Sequence, residues 1–335
     1  MAIKFEYPFK SKDCFRYVNS FDLFKNIKSN LLFSDVKNEK PIISVVIPTY
    51  KRDVVKYAIL SVLEQKEAPD YELVIVDNNP DETELLEYIK GLKSNKIRYY
   101  RNEENIGMLG NWNRCIELAN SENIVFCHSD DMLTEETLTK LWKLRQKVEP
   151  EAAILGRQGT IDINNNITGS YKEPSSKIGG LLKPKNYFRL NHYSAIMGDY
   201  DNGCGEMLNK SVLFKIGGYD SNFYPASDGV LLMKYQTVAP IYRLNSQVRF
   251  CRIALNQCSE LAHLFPLCGY YMACAAIDRY FAGNILLKYL TRLSAESVGI
   301  KEFNYKAMRK LNFFEKILHR GYNALYTLIS NYKLF

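Results

Sequence analysis

The sequence predicts an α/β fold, a doubly wound and mainly parallel sheet with helices on both faces. Short, largely apolar runs rich in β-branched residues recur between residues 41 and 131, as expected of strands that are covered on both faces. Between these runs, apolar residues recur at the spacing of amphipathic helices. Strands that alternate with helices along a chain usually pair in parallel, so this alternation predicts the doubly wound sheet.

Four strands are expected in this region, and each is an apolar run that stops at a proline or a polar residue. Their ranges are Ile42–Ile47, Tyr71–Val76, Ile97–Tyr100 and Ile124–Cys127. Pro48 is expected to end the first strand, since a proline cannot donate a hydrogen bond to a sheet. Asp77 ends the second.

Helices are predicted between these strands. The expected N-caps are Asp53 for the first helix and, for the second, Asp81 with Glu84, which resemble a capping box. The apolar faces of the first and third helices are Val55, Ile59 and Val62, and Leu109, Trp112, Ile116 and Ala119.

Beyond about residue 150 the pattern is less regular. Ala152–Gly156 is predicted to be a strand, and the polar residues 159–180 a loop or a small hairpin. Gly217–Asp220 is expected to form a turn, and Asp228 to begin a helix. From residue 261 to the C-terminus the pattern is helical.

Cysteine usage and the N-terminus predict a cytoplasmic protein. The eight cysteines are scattered and include no Cys-x-x-Cys pair, which argues against a zinc site or a disulfide framework. The first residues lack the apolar core of a secretory signal. No apolar run reaches the length of about 18 residues that a membrane-spanning helix needs, so none is expected.

The net charge of +7 is concentrated near the C-terminus, where residues 261–335 contain ten Lys and Arg residues against four Asp and Glu residues. A nucleic-acid-binding protein would spread basic charge over its folded face, so nucleic acid is not an expected partner. Apolar residues recur in this segment at helical spacing: Phe314, Ile317, Leu318, Leu325, Leu328 and Ile329. Lys316, Arg320 and Lys333 lie among them or follow them.

This combination predicts an amphipathic element that attaches peripherally to the anionic inner face of a membrane. Packing of the same apolar face on the main domain, or on a second subunit of a homo-oligomer, would explain the apolar spacing equally well. The sequence leaves these alternatives open.

Two adjacent carboxylates, Asp130 and Asp131, follow the fourth strand within the segment His-Ser-Asp-Asp (128–131). Open α/β sheets bind ligands at the carboxyl ends of their parallel strands. Hard oxygen donors at this position suit Mg²⁺ or Mn²⁺, and these ions in turn suit a diphosphate. The alternative is that both residues cap a helix that begins near Thr134.

Thr49 and Asp77 are expected at the same edge of the sheet as this aspartate pair, because each follows a parallel strand. A nucleotide could therefore lie across the edge, with its base near Thr49 and Asp77 and its diphosphate near a metal ion. A role of Asp77 as a helix-start residue alone is the competing interpretation.

These segments together resemble the family 2 glycosyltransferases. The matching segments are Ile-Ser-Val-Val-Ile-Pro-Thr-Tyr-Lys-Arg (43–52), Glu-Leu-Val-Ile-Val-Asp-Asn-Asn (72–79), Asn105-x-Gly107 with Asn113, and His-Ser-Asp-Asp (128–131). Gly-Gly-Tyr-Asp (217–220) and Ser-Asp (227–228) extend the resemblance to about residue 260.

The resemblance implies a GT-A fold and inverting transfer of a sugar from a nucleotide diphosphate donor, most simply a UDP-sugar, to a glycan or lipid-linked acceptor. It divides the chain into an N-terminal extension (1–40), a catalytic domain (41–260) and a basic, aromatic helical region (261–335). Within the catalytic domain it implies a nucleotide-binding half at about 41–131 and an acceptor half at about 132–260.

Carried over position by position, the resemblance implies a role for each matching residue. Asp130 would be the principal ligand of Mn²⁺ or Mg²⁺, with His128 as a second ligand, and Asp228 would be the general base. Asp131 would contact the donor sugar or a metal-bound water, and Asp77 the base. The remaining donor-binding residues would be Pro48, Thr49, Tyr50, Arg52, Asn105, Gly107 and Ser129.

The sequence departs from the family pattern at several of these positions. His128 replaces the first aspartate of the Asp-x-Asp motif, and Ser227 replaces the glutamate of the Glu-Asp pair. Trp112 stands where many members have an arginine, so a phosphate contact would be missing or supplied by Arg114 or Lys51. A later Arg-x-His is Arg-Ile-Ala (252–254), for which His263 could substitute as a metal ligand.

Two other functions are compatible with parts of this pattern. A non-catalytic carbohydrate- or partner-binding relative would explain the altered His128 and Ser227, although Asp130 and Asp228 are retained. A nucleotidyltransferase would also use a doubly wound sheet and a metal–diphosphate site. It should, however, carry a glycine-rich loop after its first strand, and Pro-Thr-Tyr-Lys-Arg (48–52) contains no glycine.

Overall fold

The computed structural model describes residues 13–172, 183–196, 203–253, 264–297 and 312–318, together with 261, 320–321, 324 and 332–333. Most of the described strands belong to one mixed sheet. At its centre four parallel strands run in the order β4-β3-β2-β5. Their bounds are β2 (Ile43–Thr49), β3 (Tyr71–Asp77), β4 (Ile97–Asn102) and β5 (Asn123–Phe126).

The central strands confirm the predicted doubly wound sheet, since every residue of β2 and β3 is buried. Pro48, however, lies inside β2 and does not end it. The backbone carbonyl of Val46 points toward β5 and accepts a hydrogen bond from the Cys127 N–H (2.9 Å). Residue 48, two positions further along the strand, therefore directs its backbone groups to the same side. The pairing with β5 ends at Phe126, and a proline there therefore sacrifices no ladder hydrogen bond.

Four helices cover this half of the sheet: α1 (Val55–Leu63), α2 (Glu84–Gly91), α3 (Gly107–Leu118) and α4 (Thr137–Arg145). The two predicted N-caps are wrong. Helix α1 follows Val54 without a side-chain cap, so Asp53 does not cap it. In α2 the carboxylate of Glu82, not of Asp81, accepts the Leu85 N–H at 2.8 Å.

The second half of the sheet is mostly antiparallel. Its strands are β6 (Met132–Leu133), β7 (Ala153–Ile161), β8 (Ile167–Gly169), β10 (Tyr187–Arg189), β11 (Met207–Asn209) and β12 (Ile241–Arg252). Strand β11 inserts between β5 and β7, and β7 pairs in parallel with β12. Strand β7 includes most of the strand predicted at Ala152–Gly156 and continues to Ile161, while β8 lies within the segment 159–180 that is predicted as a loop or small hairpin. A separate pair is formed by β9 (Lys183–Pro184) and β13 (Tyr332–Lys333).

Three helices accompany this half: α5 (His192–Ile196), α6 (Lys210–Ile216) and α7 (Ser227–Gln236). The expected turn precedes α7, because Gly217 ends α6 with a left-handed φ of 88°. Helix α7 begins at Ser227, so Asp228 lies in its first turn as expected.

The segment before residue 41 is part of the same architecture. It contains a short 3-10 helix (Phe21–Phe24) and β1 (Ser29–Ser34). Strand β1 pairs antiparallel with β4 and forms one edge of the sheet.

The C-terminal region is helical where it is described, with α8 (Phe265–Tyr280), α9 (Ile285–Ser297) and a helix at 313–318. The buried residues of α8, such as Cys268 and Ala276, belong to the same core cluster as Val230 and Leu231 of α7. Helix α8 is therefore built into the core. None of the helices in the described ranges combines the length and the apolar character needed to cross a bilayer.

Candidate active site

The carboxyl ends of the central strands bring the predicted donor residues together. Thr49 and Asp77 are paired in register as the last residues of β2 and β3. The Asn78 N–H donates to the Thr49 carbonyl at 2.9 Å, which holds the two strand ends at the same level. This is the edge at which parallel sheets bind ligands.

Asp77 is a buried carboxylate with two fixed hydrogen bonds. Its Oδ1 accepts the Asn79 N–H and its Oδ2 accepts the Tyr99 hydroxyl, each at 2.8 Å. Burial raises the pKa of Asp77 to about 6, although both hydrogen bonds oppose this shift. Each carboxylate oxygen retains a second lone pair with which it can accept a further donor.

The loop between β4 and α3 is shaped by asparagine side chains. Asn105 Oδ1 accepts the N–H of Gly107 at 2.8 Å and an N–H of the Asn78 amide at 2.7 Å. Gly107 has a φ of 74°, a left-handed conformation that favours glycine. Asn105 and Gly107 therefore form the loop at the start of α3, and Asn78 links this loop to the end of β3.

The segment Pro48–Arg52 leaves β2 toward the same edge. Tyr50 is exposed, whereas Pro48 and Thr49 are buried at the strand end. Arg52 extends toward the aspartate pair, and its Nη2 lies 4.0 Å from Asp130 Oδ2. This loop and the carboxylates are thus neighbours in space, although about 80 residues separate them in sequence.

His128, Asp130 and Asp131 form a cluster in which the candidate ligand atoms all lie within 4.8 Å of one another. Ser129, which stands between His128 and Asp130 in the sequence, is buried. The alternative role of the two aspartates as caps of a helix near Thr134 is wrong. Strand β6 follows them directly, and α4 begins only at Thr137.

The electrostatics of this cluster suit a cation. Burial raises the pKa of Asp130, and burial together with the adjacent Asp130 raises the pKa of Asp131 to about 6. Arg52 and Arg252 oppose the shift of Asp130. A divalent cation would relieve the repulsion between the two carboxylates, and oxygen donors are the ligands that Mg²⁺ and Mn²⁺ prefer. The residues present therefore fit such an ion.

His128 lies against the ring of Trp112, with centroids 4.7 Å apart and planes inclined by 28°. Burial and the charge of Arg249 lower the pKa of His128 to about 3, so the imidazole is neutral. Its Nδ1 lies 3.9 Å from Asp131 Oδ2. In the described part of the chain its buried Nε2 has no hydrogen-bond partner. The two departures from the family pattern, at positions 112 and 128, are thus in direct contact.

Arg252, at the end of β12, holds the aspartate pair in place. Its N–H donates to Asp131 Oδ1 at 3.0 Å, and its Nε donates to the Asp130 carbonyl at 2.9 Å. Its guanidinium also reaches the hairpin beyond β7, with Nη1 2.8 Å from the Asp162 carbonyl and Nη2 2.7 Å from Asn165 Oδ1. The side chain is fully buried.

Asp228, the predicted general base, lies in the first turn of α7. Its Oδ1 accepts the Gly229 N–H at 2.7 Å, and the residue is partly exposed. Its negative charge contributes to the raised pKa values of Glu206 and Tyr219, which places these groups nearby. The Tyr219 ring packs edge-on against Trp112 at 4.9 Å, so contacts run from this side of the site to His128.

Glu206 was not predicted from the sequence. It is buried beside Asp228, and it accepts a hydrogen bond from the N–H of Gly203, which packs closely against His128. Burial raises the pKa of Glu206 from its usual value near 4.5 to about 7. The available signal was a charged residue between Gly-Cys-Gly and an apolar strand, which is weak without knowledge of the fold.

One suggested replacement for the missing arginine has another role. Arg114 donates to the carbonyls of Ile27 (2.9 Å) and Phe24 (3.0 Å), so its guanidinium anchors the N-terminal segment. His263 lies outside the described residues, as do Leu325, Leu328 and Ile329 of the C-terminal segment.

Comparison with solved structures defines the class of fold. The structure of S. aureus TarS 1–349 in complex with UDP-GlcNAc matches with a TM-score of 0.51 at 15% identity, over 76% of this chain and 80% of that chain. At this identity the likeness shows the fold alone. The mixed, mainly parallel central sheet with helices on both sides is the GT-A fold that the sequence predicted.

The chain belongs to the family described as glycosyl transferase family 2, whose profile matches residues 44–215. The uncharacterized glycosyltransferase MJ1057 of Methanocaldococcus jannaschii is 26% identical over 57% of this chain and 63% of its own length. The putative teichuronic acid biosynthesis glycosyltransferase TuaG of Bacillus subtilis is 33% identical over 31% of this chain and 41% of its own length. The chain therefore matches less than two thirds of either relative.

Proposed function

We propose that this protein is a metal-dependent, inverting glycosyltransferase. It would move a sugar from a nucleotide diphosphate donor, a UDP-sugar, to a hydroxyl of a glycan or lipid-linked acceptor. The observation that carries this proposal is the cluster of His128, Asp130 and Asp131 at the strand ends where Thr49 and Asp77 also lie. Family membership and the GT-A fold support it.

Donor binding would use the edge of the sheet. The base would lie between Thr49 and Asp77, where a carboxylate oxygen of Asp77 can accept an N–H such as that of uracil N3. Tyr50 and Arg52 would border the nucleoside, and the Asn105–Gly107 loop would border the donor beside them. Ser129 and Asp131 would contact the ribose or the donor sugar.

Asp130, with Asp131 and His128 beside it, would hold Mn²⁺ or Mg²⁺. When bound, such an ion neutralises the charge that develops on the leaving diphosphate. The protein contributes the geometry: Arg252 fixes both aspartates through its backbone N–H and its Nε. Arg52, 4.0 Å from Asp130, would add positive charge on the nucleotide side.

Asp228 would act as the general base. The acceptor hydroxyl is a weak nucleophile at neutral pH, and a carboxylate within hydrogen-bond reach can take its proton as attack proceeds. The acceptor oxygen then bonds to the anomeric carbon while the bond from that carbon to the phosphate oxygen breaks, and the nucleoside diphosphate leaves. Attack from the face opposite the leaving group inverts the anomeric configuration.

The chemistry of relatives suggests the kind of sugar and product. TarS was solved with UDP-GlcNAc, and TuaG is named for teichuronic acid biosynthesis. By this analogy a hexosyl or N-acetylhexosaminyl group and a bacterial cell-surface glycan are the proposed substrate and product classes.

Peripheral membrane attachment is proposed for the C-terminal region. The helix at 313–318 exposes Phe313, Phe314, Ile317 and Leu318, here called the C-terminal apolar patch. Lys316 lies on the same helix, and Arg320 follows it. This arrangement supports attachment to an anionic surface, which would bring the site to a lipid-linked acceptor.

An Asp228→Asn variant tests the proposed function. The carboxamide keeps the shape but loses the basicity, so kcat should fall by about 10²- to 10⁴-fold. UDP binding in the presence of Mn²⁺, measured by calorimetry, should be unchanged, and UDP should bind more tightly than GDP. The matched control is Asp70→Asn, at the opposite edge of the sheet before β3. A variant that retains kcat, or a clear preference for GDP, would contradict the assignment.

A further inference from the structure

The N-terminal segment from residue 18 to residue 29 docks tightly onto the catalytic fold, although it lies outside the family match. The Ser20 N–H donates to the Gly217 carbonyl at 2.9 Å. A Cβ at Gly217 would lie 2.0 Å from the Val18 carbonyl oxygen, and one at Gly110 would lie 2.8 Å from the Phe24 ring. At Gly217 the contact is with backbone and φ is positive, so only glycine permits this close approach there.

Arg114 of α3 secures the other end of this segment. It donates to the carbonyls of Phe24 and Ile27 at 3.0 and 2.9 Å, and it also contacts the Ser29 hydroxyl. Each of these carbonyls lies just before β1, which pairs with the edge of the sheet. The segment is therefore held at both ends, which keeps its middle part in place against the catalytic fold.

A cleft of about 400 Å³ lies between this N-terminal segment, the start of α3 and the turn before α7. Its lining is mainly apolar and aromatic, with hydroxyl groups from two serines. The residues that carry the argument are Ser20, Leu23, Phe24, Tyr219, Ser221 and Tyr224.

Ser20 is the second observation that points to a ligand. It is only 2% exposed, and its hydroxyl has no hydrogen-bond partner in the described part of the chain. A buried hydroxyl without a partner destabilises a fold, so such groups usually serve a bound molecule or water. Ser20 lines the cleft, so a molecule held there would lie beside this side chain.

The cleft borders the proposed active site through two of its lining segments. Gly107 of the donor loop forms part of its wall, and Ser221 and Tyr224 lie in the turn that leads to Asp228 in α7. We propose that this cleft binds a sugar residue of the acceptor glycan. This inference rests on the proposed function, because it assumes that a glycan is the acceptor.

The chemistry of the lining favours a sugar. Aromatic rings such as Phe24 and Tyr224 can stack on the apolar face of a pyranose, while Ser20 and Ser221 can hydrogen-bond its hydroxyls. A volume of about 400 Å³ is within the usual range for small-molecule sites. An apolar prenyl chain would leave the Ser20 hydroxyl without a partner, so it is the less favoured occupant.

The test uses simple glycosides as probes. Methyl α- and β-glycosides of glucose, galactose, N-acetylglucosamine and N-acetylgalactosamine are added to the full-length protein with UDP and Mn²⁺. Saturation-transfer NMR reports their binding, and UDP release from UDP-glucose and UDP-GlcNAc reports turnover. Three variants are compared with the wild type: Ser20→Ala, the cleft-blocking Leu23→Trp, and the control Leu31→Trp, at another exposed leucine that lies on β1.

We expect at least one glycoside to bind the wild type. Ser20→Ala should weaken that binding by about 3- to 10-fold, the usual worth of one hydrogen bond. Leu23→Trp should abolish it, and Leu31→Trp should leave it unchanged. UDP affinity should be the same in all four proteins. The melting temperature of Ser20→Ala should not fall, since the hydroxyl has no protein partner to lose; a purely structural serine would lower it.

The outcomes separate the cleft from the catalytic proposal. Suppose that a glycoside stimulates UDP release and yet binds normally to Ser20→Ala and Leu23→Trp. That result would support the glycosyltransferase activity but refute sugar binding in the cleft. If glycosides bind in the cleft but no UDP is released, the proposed glycosyltransferase activity is refuted, whereas sugar binding in the cleft is supported. Absence of glycoside binding to the wild type overturns the cleft. Sugar binding in the cleft would also be refuted if farnesyl phosphate binds the wild type, Leu23→Trp abolishes that binding, and no glycoside binds.

Discussion

At the scale of single residues, the site holds two carboxylates, Asp130 and Asp131, so close together that their negative charges repel each other. Asp130 and Asp131 are adjacent and largely buried, and both have raised pKa values because water is excluded from them. Arg52 and Arg252 offset only part of this cost. Side chains held in such an arrangement are typical of functional sites, because stability alone would not select them.

Asp130→Asn tests the metal role. The variant should lose Mn²⁺-dependent transfer by about 100-fold or more, since several kcal/mol of leaving-group stabilisation would disappear. Without metal its melting temperature should not be lower than that of the wild type, because one of two repelling charges is removed. Transfer assays with titrated Mn²⁺ and thermal unfolding measure both effects. Wild-type activity that persists in excess EDTA would refute the metal role.

Glu206 predicts a specific dependence of stability on pH. Its pKa in the folded protein is about 7, above the usual value near 4.5, so the folded state binds more protons between these pH values. Stability must therefore fall as pH rises through this window, and the full cost is present above pH 7. Below pH 4.5 the cost is absent. Arg249, Arg243 and Asp228 are the charged groups that act on this carboxyl.

Glu206→Gln should remove this dependence while it keeps an acceptor for the Gly203 N–H. The free energy of unfolding of the variant relative to the wild type should increase between pH 5 and pH 8 by about 3 kcal/mol. Urea unfolding at a series of pH values measures it, with the exposed Glu104→Gln as a control for the loss of one charge. A difference that is constant with pH would show that Glu206 is ionised at its ordinary pKa.

At the scale of elements, the end of β12 determines the geometry of the cluster formed by His128, Asp130 and Asp131. Strand β12 is the longest described strand, and it pairs with β7, β10 and β6. Its last residue is Arg252, and this one guanidinium links the aspartate pair to the hairpin beyond β7.

Arg252→Lys should weaken both the cluster and the fold. An ammonium group cannot reproduce the planar fork that reaches the Asp130 and Asp162 carbonyls together. Stability should fall by about 1–3 kcal/mol, and Mn²⁺ should bind more weakly in the presence of UDP. The control is Arg157→Lys, which removes a comparable contact of β7 with Asn245 (3.1 Å) away from the cluster. If both variants change Mn²⁺ affinity equally, Arg252 has no particular role in positioning.

At the scale of the whole molecule, the C-terminal region has two different characters. Helix α8 is part of the core. The C-terminal apolar patch is different, because Phe313 and Phe314 are 72% and 76% exposed. The Tyr289 hydroxyl donates to Glu315 at 2.9 Å and so ties this helix to α9.

The double variant Phe313→Ser, Phe314→Ser tests membrane attachment. Loss of two aromatic side chains from a bilayer should lower vesicle partitioning by about 100-fold. Co-sedimentation with phosphatidylcholine vesicles, with and without phosphatidylglycerol, measures the binding and its dependence on anionic lipid. The control is Leu31→Ser, Leu32→Ser, at two exposed leucines of β1. Wild-type protein that stays in the supernatant, or equal binding of both double variants, would refute the proposal.

Features that depend on local sequence were predicted well. The central strands, the helix faces and the aspartate pair could be located because burial on both faces and helical periodicity leave a direct record in residue order. Helix caps were not predicted, since Asp53, Asp81 and Glu82 are nearly equivalent in sequence and the backbone geometry decides among them. Pro48 was misjudged for a related reason: only the point at which β5 ends makes a proline acceptable in β2.

By itself, the sequence determined the fold class and the strand-end residues of the donor edge, because the order of short segments encodes both. Only the tertiary structure decided how residues distant in sequence meet. It brought Glu206 beside Asp228, stacked Trp112 on His128, and placed Ser20 in a cleft with Tyr224. The physical reason is that burial and electrostatic environment depend on neighbours from other elements, and no local pattern records which elements these will be.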